Sequence, residues 1–88
     1  MSIVAVKLRI MPESLETDLD SIKKLIPSKL PEAKNTSIEE QEIAFGLKAL
    51  VATFAWPESL STDEIEKRIK SIQGVSSTEI LDYRRAFG

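Results

Sequence analysis

Carboxylates and guanidiniums are the side chains of this 88-residue chain with the most chemical reach. Glu39, Glu40 and Glu42 cluster within four positions and carry the ligand type that binds a hard cation. Such sites need a tight loop bearing the ligands, so a charged strand face that resists edge aggregation is the competing reading. Tyr83-Arg84-Arg85-Ala86-Phe87-Gly88 places two arginines side by side with an aromatic behind them. Guanidinium groups pair with carboxylates and phosphates in a two-pronged geometry. The segment therefore reads either as an anion-seeking tail or as a solvated one. Serines and threonines are present, but the chain contains no histidine and no cysteine. That leaves no nucleophile–base pair, no thiol chemistry and none of the common zinc sites. Neither a GxxxxGK[ST] phosphate loop nor a GxGxxG stretch occurs. No cofactor is expected.

A different kind of signal lies at Ile43-Ala44-Phe45-Gly46-Leu47-Lys48-Ala49-Leu50. Glycine suits a tight or left-handed turn, and turns between strands lie at the surface. Phe45 would then sit at a turn tip. An aromatic there either anchors a partner or folds back onto its own sheet edge.

The elements that must position these residues follow from periodicity. Val4, Val6, Leu8 and Ile10 alternate with Ala5, Lys7 and Arg9 over Ile3–Met11, the pattern of a half-buried strand stopped by Pro12. Leu15, Leu19, Ile22 and Ile26 recur at helical spacing, with Ser14 as the expected N-cap and Pro27 and Pro31 at the exit. The short span between Pro31 and Gly46 favours a strand over Thr36–Ala44, wet on one face. Leu47–Trp56 reads as a central strand with Leu50, Ala52, Phe54 and Trp56 on one face. Ser61 and Glu64 have capping-box spacing before a second helix striped by Ile65, Ile69 and Ile72. Gly74 is its expected C-terminal cap, and Val75 to about Tyr83 is a last strand.

The order β-α-β-β-α-β in one domain over 1–88 predicts an α+β, ferredoxin-like sandwich: a four-stranded antiparallel sheet with both helices on one face. Each helix is expected to join parallel, neighbouring strands. With a net charge of −2, binding of nucleic acid through a global positive field is not expected. The start Met1-Ser2-Ile3-Val4 is unlike a signal peptide, and no apolar run reaches the ~20 residues of a membrane span. The expectation is a cytoplasmic protein with no membrane partner.

The same residues carry a family resemblance over essentially the whole chain. Phe45-Gly46-Leu47-Lys48-Ala49-Leu50 is similar to the FGIKKL run of the C-terminal exchange domain of eukaryotic elongation factor 1-beta. Pro12 with Glu16-Thr17-Asp18-Leu19 resembles that domain's proline and E-T-[DN]-[LM] segment, and Ser77-Thr78-Glu79-Ile80 its S-T-D-I. The chain thus resembles the archaeal elongation factor 1-beta family. The resemblance implies a non-enzymatic guanine-nucleotide exchange factor that acts on the GTPase elongation factor 1-alpha by disturbing its magnesium and phosphate sites. It implies that Phe45 matches the family's loop contact. It also implies that Arg85 falls where a eukaryotic lysine reaches toward the magnesium site. Arginine there is a departure, as is Ala44 in place of a glycine, a stiffer start to the loop. With Gly46, Lys48, Arg84 and Phe87 these make the expected partner-binding set, an aromatic wedge and a basic tip at one end of a rigid sandwich.

Two other classes remain open. A small RNA-binding module would need aromatics on the open faces of the central strands, and Lys7, Arg9 and Lys48 could give it only a mild basic patch. A regulatory ligand-binding or assembly domain would show itself by gel filtration and ligand thermal shifts.

Overall fold

The computed structural model describes residues 2–87, with side chains from Ser2 to Arg85. The elements run β1 (Ile3–Pro12), α1 (Leu19–Lys29), β2 (Lys34–Ala44), β3 (Leu47–Pro57), α2 (Thr62–Lys70) and β4 (Val75–Phe87). They form one antiparallel sheet in the order β2-β3-β1-β4, the ferredoxin-like arrangement. The strands joined by each helix are parallel but not neighbours. β3 lies between β1 and β2, and β1 lies between β3 and β4. Insertion of one antiparallel strand, β3 in the first case and β1 in the second, splits each βαβ unit.

Alternation decides the core. Val4, Val6, Leu8 and Ile10 of β1 pair across from Trp56, Phe54, Ala52 and Leu50 of β3, and all eight are buried. Ile22, Ile26 and Leu30 close over them from α1 and its exit, and Ile65, Ile69 and Ile72 from α2 and its exit. Burying each large side chain contributes on the order of 1.5–3 kcal/mol. No polar or charged residue is buried among the described residues. Nor is any helix among them long and apolar enough to cross a membrane.

α1 begins later than its apolar spacing suggests. Ser14 closes a turn of its own: its N–H donates to Thr17 Oγ1, and its Oγ accepts from the Glu16 N–H. The cap is Asp18, whose carboxylate accepts from the N–H groups of Asp20 and Ser21 and from the Ser21 hydroxyl. These bonds, the hydroxyl's first, hold Asp18 below the ordinary carboxylate range. Leu15 is left outside the helix and 64% exposed.

α2 is capped by Ser61, which accepts from the Asp63 N–H. The reciprocal half of the expected capping box gives way to an ion pair, because Glu64 turns to Arg68. Ser71 caps the helix C-terminus. Gly74 serves instead in the turn into β4, at φ +97, where a Cβ would meet the Thr17 methyl at 3.0 Å.

β4 runs on past Tyr83 to Phe87, paired with β1 throughout. Its register shifts at Leu81: Leu8 faces Ile80, whereas Lys7 faces Asp82. One extra residue reverses which side chains point to which face. Tyr83 and Arg85 therefore join Ile80 on the helix-covered face, opposite Val6 and Val4, and Arg84 goes to the open face beside Ala5.

Candidate functional site

The β2–β3 hairpin closes with two residues, Phe45 and Gly46, between the paired Ala44 and Leu47. Both have positive φ, 45° and 85°, as a type I′ turn requires. Glycine takes the second position without steric cost. The first is normally Asn, Asp or Gly, and a bulky side chain there is an outlier. Phe45 is nevertheless 100% exposed. It does not fold back onto the sheet edge, so nothing in the fold compensates the left-handed backbone or the wet ring.

Lys48 stands near this turn but is already engaged. Its ammonium lies 3.7 Å from Glu40, and Lys23 of α1 lies 3.2 Å from the same carboxylate. The two ammonium groups, Lys23 first, pull the Glu40 pKa down. This arrangement corrects two expectations. Lys48 belongs to the helix-covered face, so it does not extend a basic patch with Lys7 and Arg9. The glutamates do not form one cluster either: Glu40 and Glu42 sit opposite Leu50 and Lys48, and Glu39 sits opposite Val51 on the other face. Among the described residues no group of three or more acidic or metal-ligating side chains converges.

The basic residues of β4 occupy the other end of the molecule. Arg85 pairs opposite Val4, at the end of the sheet where Ile3 meets Pro57. The Phe45 turn lies beyond the end where Ile10 meets Leu50. β3 alone separates Leu47 from Trp56 by roughly 30 Å at the rise of an extended chain. The wedge and the basic tip are thus at opposite ends, not at one end as expected. β3 and β4 run in the same direction, and that forces the start of one away from the finish of the other.

Arg84 and Arg85 differ in surroundings. Among the described residues Arg84 reaches only Asp82 of its own strand, at 3.0 Å, and its side chain is 77% exposed. Arg85 donates from Nε (2.9 Å) and Nη2 (2.6 Å) to one oxygen of Glu58. The backbone of Phe87 continues the pairing opposite Ile3, and its side chain lies outside the described residues. Sequence reasoning missed Glu58. The signal was available, because a carboxylate following Pro57 must lie at the end of the sheet where β4 finishes.

A second polar knot stiffens this end. Arg68 of α2 donates to Glu32 at 2.7 and 3.4 Å and to Glu64 at 3.3 Å, and its guanidinium carbon lies 6.0 Å from the Trp56 ring centre. Its hydrogen bond is the chief reason the Glu32 pKa is lowered. A carboxylate with a depressed folded pKa stabilises above its ordinary value and loses that contribution as pH falls through the depressed one. Wild-type thermal stability should therefore fall on acidification through and below about 4.3, the ordinary glutamate value. Arg68→Met should be less stable at neutral pH and lose less on acidification. Parallel melting-temperature curves for the two proteins would contradict a stabilising role for the pair.

The open face of the central strands carries Ala5, Lys7 and Arg9 opposite Ala55, Thr53 and Val51. Phe54 and Trp56 are buried on the opposite face, packed edge to face. A base would find no ring to stack on along β1 and β3. The charges of the expected basic patch are also matched across the β1–β4 pair: Arg9 is ion-paired with Glu79, and Lys7 lies opposite Asp82.

Comparison with known proteins agrees with this architecture over nearly its whole length. The EF-1 guanine nucleotide exchange domain matches residues 5–85. Elongation factor 1-beta of Metallosphaera sedula is 43% identical over 88 residues, covering 97% of each chain. The protein of that name from Thermofilum pendens is 41% identical, with all of both chains covered. That of Natronomonas pharaonis is 38% identical over 97% of this chain and 99% of its own. A βαββαβ sandwich with an exposed aromatic turn, matched from the first strand into the last, thus belongs to the elongation factor 1-beta family of guanine-nucleotide exchange domains, whose members are exchange factors and not catalytic enzymes.

Proposed function

We propose that this chain promotes GDP release and GTP reloading on elongation factor 1-alpha in the cytoplasm. Phe45-Gly46 provides an apolar contact at one end, and Arg85 provides a cationic contact at the other. Family membership across residues 5–85 carries the reading. The exposed, left-handed Phe45 supports a binding role for its end of the molecule. A ring that the fold neither buries nor favours is best explained by a partner that buries it.

The separation of the two contacts suggests how exchange works. A partner touching both must extend along the sheet, so the rigid sandwich acts as a spacer that sets the reach of Arg85 relative to the Phe45 anchor. Bound magnesium neutralises phosphate charge, and a guanidinium brought to that region favours its departure. No acid, base or cofactor is needed. Exchange requires only that the factor bind the nucleotide-free GTPase better than the loaded one, and linkage then makes each ligand weaken the other.

Titration calorimetry tests this directly. The protein should bind nucleotide-free elongation factor 1-alpha at least tenfold more tightly than the GDP–magnesium form, a coupling in the ordinary range of roughly 1–3 kcal/mol. Equal affinity for the two forms would refute it.

A further inference from the structure

The geometry points to Glu58 as the positioning residue for Arg85. We infer that its carboxylate holds the guanidinium across the end of the sheet, ready to meet an anionic group of a partner. The inference rests on the reading of Arg85 given above and adds the residue through which that arginine is ordered.

Glu58 and Arg85 come from strands that are not neighbours. Glu58 directly follows β3, and Arg85 lies in β4, with the start of β1 between them. Two strand spacings separate the backbones by roughly 10 Å, so the arginine stem must lie over the first residues of β1 to make the bond. The bond fixes the cation over the middle of the sheet's end, away from its edge. Glu58 is itself held by backbone. Its N–H donates to Ser2 O at 3.1 Å, the Leu60 N–H to Pro57 O at 3.1 Å, and the Trp56 indole to Leu60 O at 3.2 Å. The backbone that carries the acceptor is therefore fixed. Both donors of the arginine go to the same oxygen, Oε2. Among the described residues Nη1 has no partner, so the group is oriented while part of its donor fork stays available. An arginine ordered before docking avoids the loss of rotamer freedom that binding otherwise exacts. Among the described residues Arg84 is tied only to Asp82 on its own strand and has no such brace.

The test uses the full chain with Glu58→Ala and Glu58→Gln, each alone and combined with Arg85→Ala. In the free protein, relaxation of the Arg85 Nε–H signal by NMR should show a restrained side chain in wild type. Glu58→Ala should be mobile, and Glu58→Gln intermediate, since its amide oxygen still accepts a bond. In the exchange assay with saturating factor, Glu58→Ala should slow GDP release by roughly three- to tenfold, the range expected for ordering one long side chain. Glu58→Gln should recover part of that loss, and Glu58→Ala should cost nothing further when Arg85 is already alanine. Equal mobility of the Nε–H in wild type and Glu58→Ala overturns the inference whatever the assay gives. So does faster release with both Glu58 variants, which would mean that the carboxylate masks the charge. Failure of wild type itself to speed GDP release would defeat the functional reading instead, and the NMR comparison would still decide whether Glu58 orders Arg85.

Discussion

Replacing Phe45 by asparagine should leave the fold intact and sharply reduce exchange. Asparagine is at home at the first position of a type I′ turn, so the left-handed backbone at φ 45° becomes easier to hold. The ring contributes no buried area to the chain's own core, and the melting temperature should be unchanged or slightly raised. Exposed substitutions ordinarily change stability by no more than about 0.5 kcal/mol. Truncating an aromatic interface anchor costs about 2 kcal/mol or more, equivalent to a roughly 30-fold loss in affinity. The factor concentration for half-maximal GDP release should rise by about that ratio. Phe45→Ala should show the same loss of docking, with a small added cost because alanine tolerates positive φ poorly. A well-folded Phe45→Asn protein with full activity would remove the ring from the interface.

The second large effect is expected at the other end. Arg85→Ala should slow GDP release by about tenfold, in keeping with the roughly 1.5–3 kcal/mol carried by hydrogen bonds to charged groups. Arg84→Ala should do much less. Strand alternation sends the two side chains to opposite faces, the bulge at Leu81 gives Arg85 the helix-covered one, and among the described residues only Arg85 is braced by Glu58. Neither change should cost much stability, since exposed ion pairs contribute about 0–1 kcal/mol. Chelating magnesium should shrink the Arg85 effect, because the step the arginine assists has then already occurred. Equal losses for both arginines, insensitive to magnesium, would mean long-range steering and would end the magnesium-site role.

Much of this architecture is legible in the residues. The alternation of Val4, Val6, Leu8 and Ile10 against Leu50, Ala52, Phe54 and Trp56 fixes two central strands and the face they bury. The constrained stretch between Pro31 and Gly46 leaves room for β2. Local competition is harder to read. Ser14 and Asp18 are both good caps, and Leu15 fits the helical stripe, but the hydrogen bonds around Thr17 favour the later start. The last strand outruns its sequence signal because Arg84 and Arg85 carry no apolar alternation, and backbone pairing with β1 alone extends it. The bulge at Leu81 leaves no mark in composition, yet it decides which arginine meets Glu58. The opposite placement of Phe45 and Arg85 follows from the βαββαβ order itself, once β3 and β4 are seen to run parallel.

Release of labelled GDP from purified elongation factor 1-alpha of the same organism, with excess unlabelled nucleotide and this protein at a small fraction of the GTPase concentration, is the most direct test. All of the bound GDP should leave, at a rate rising with the amount of factor, so that each molecule of factor serves many GTPases. An off-rate that stays at its spontaneous value even when this protein is in saturating excess would contradict the exchange function.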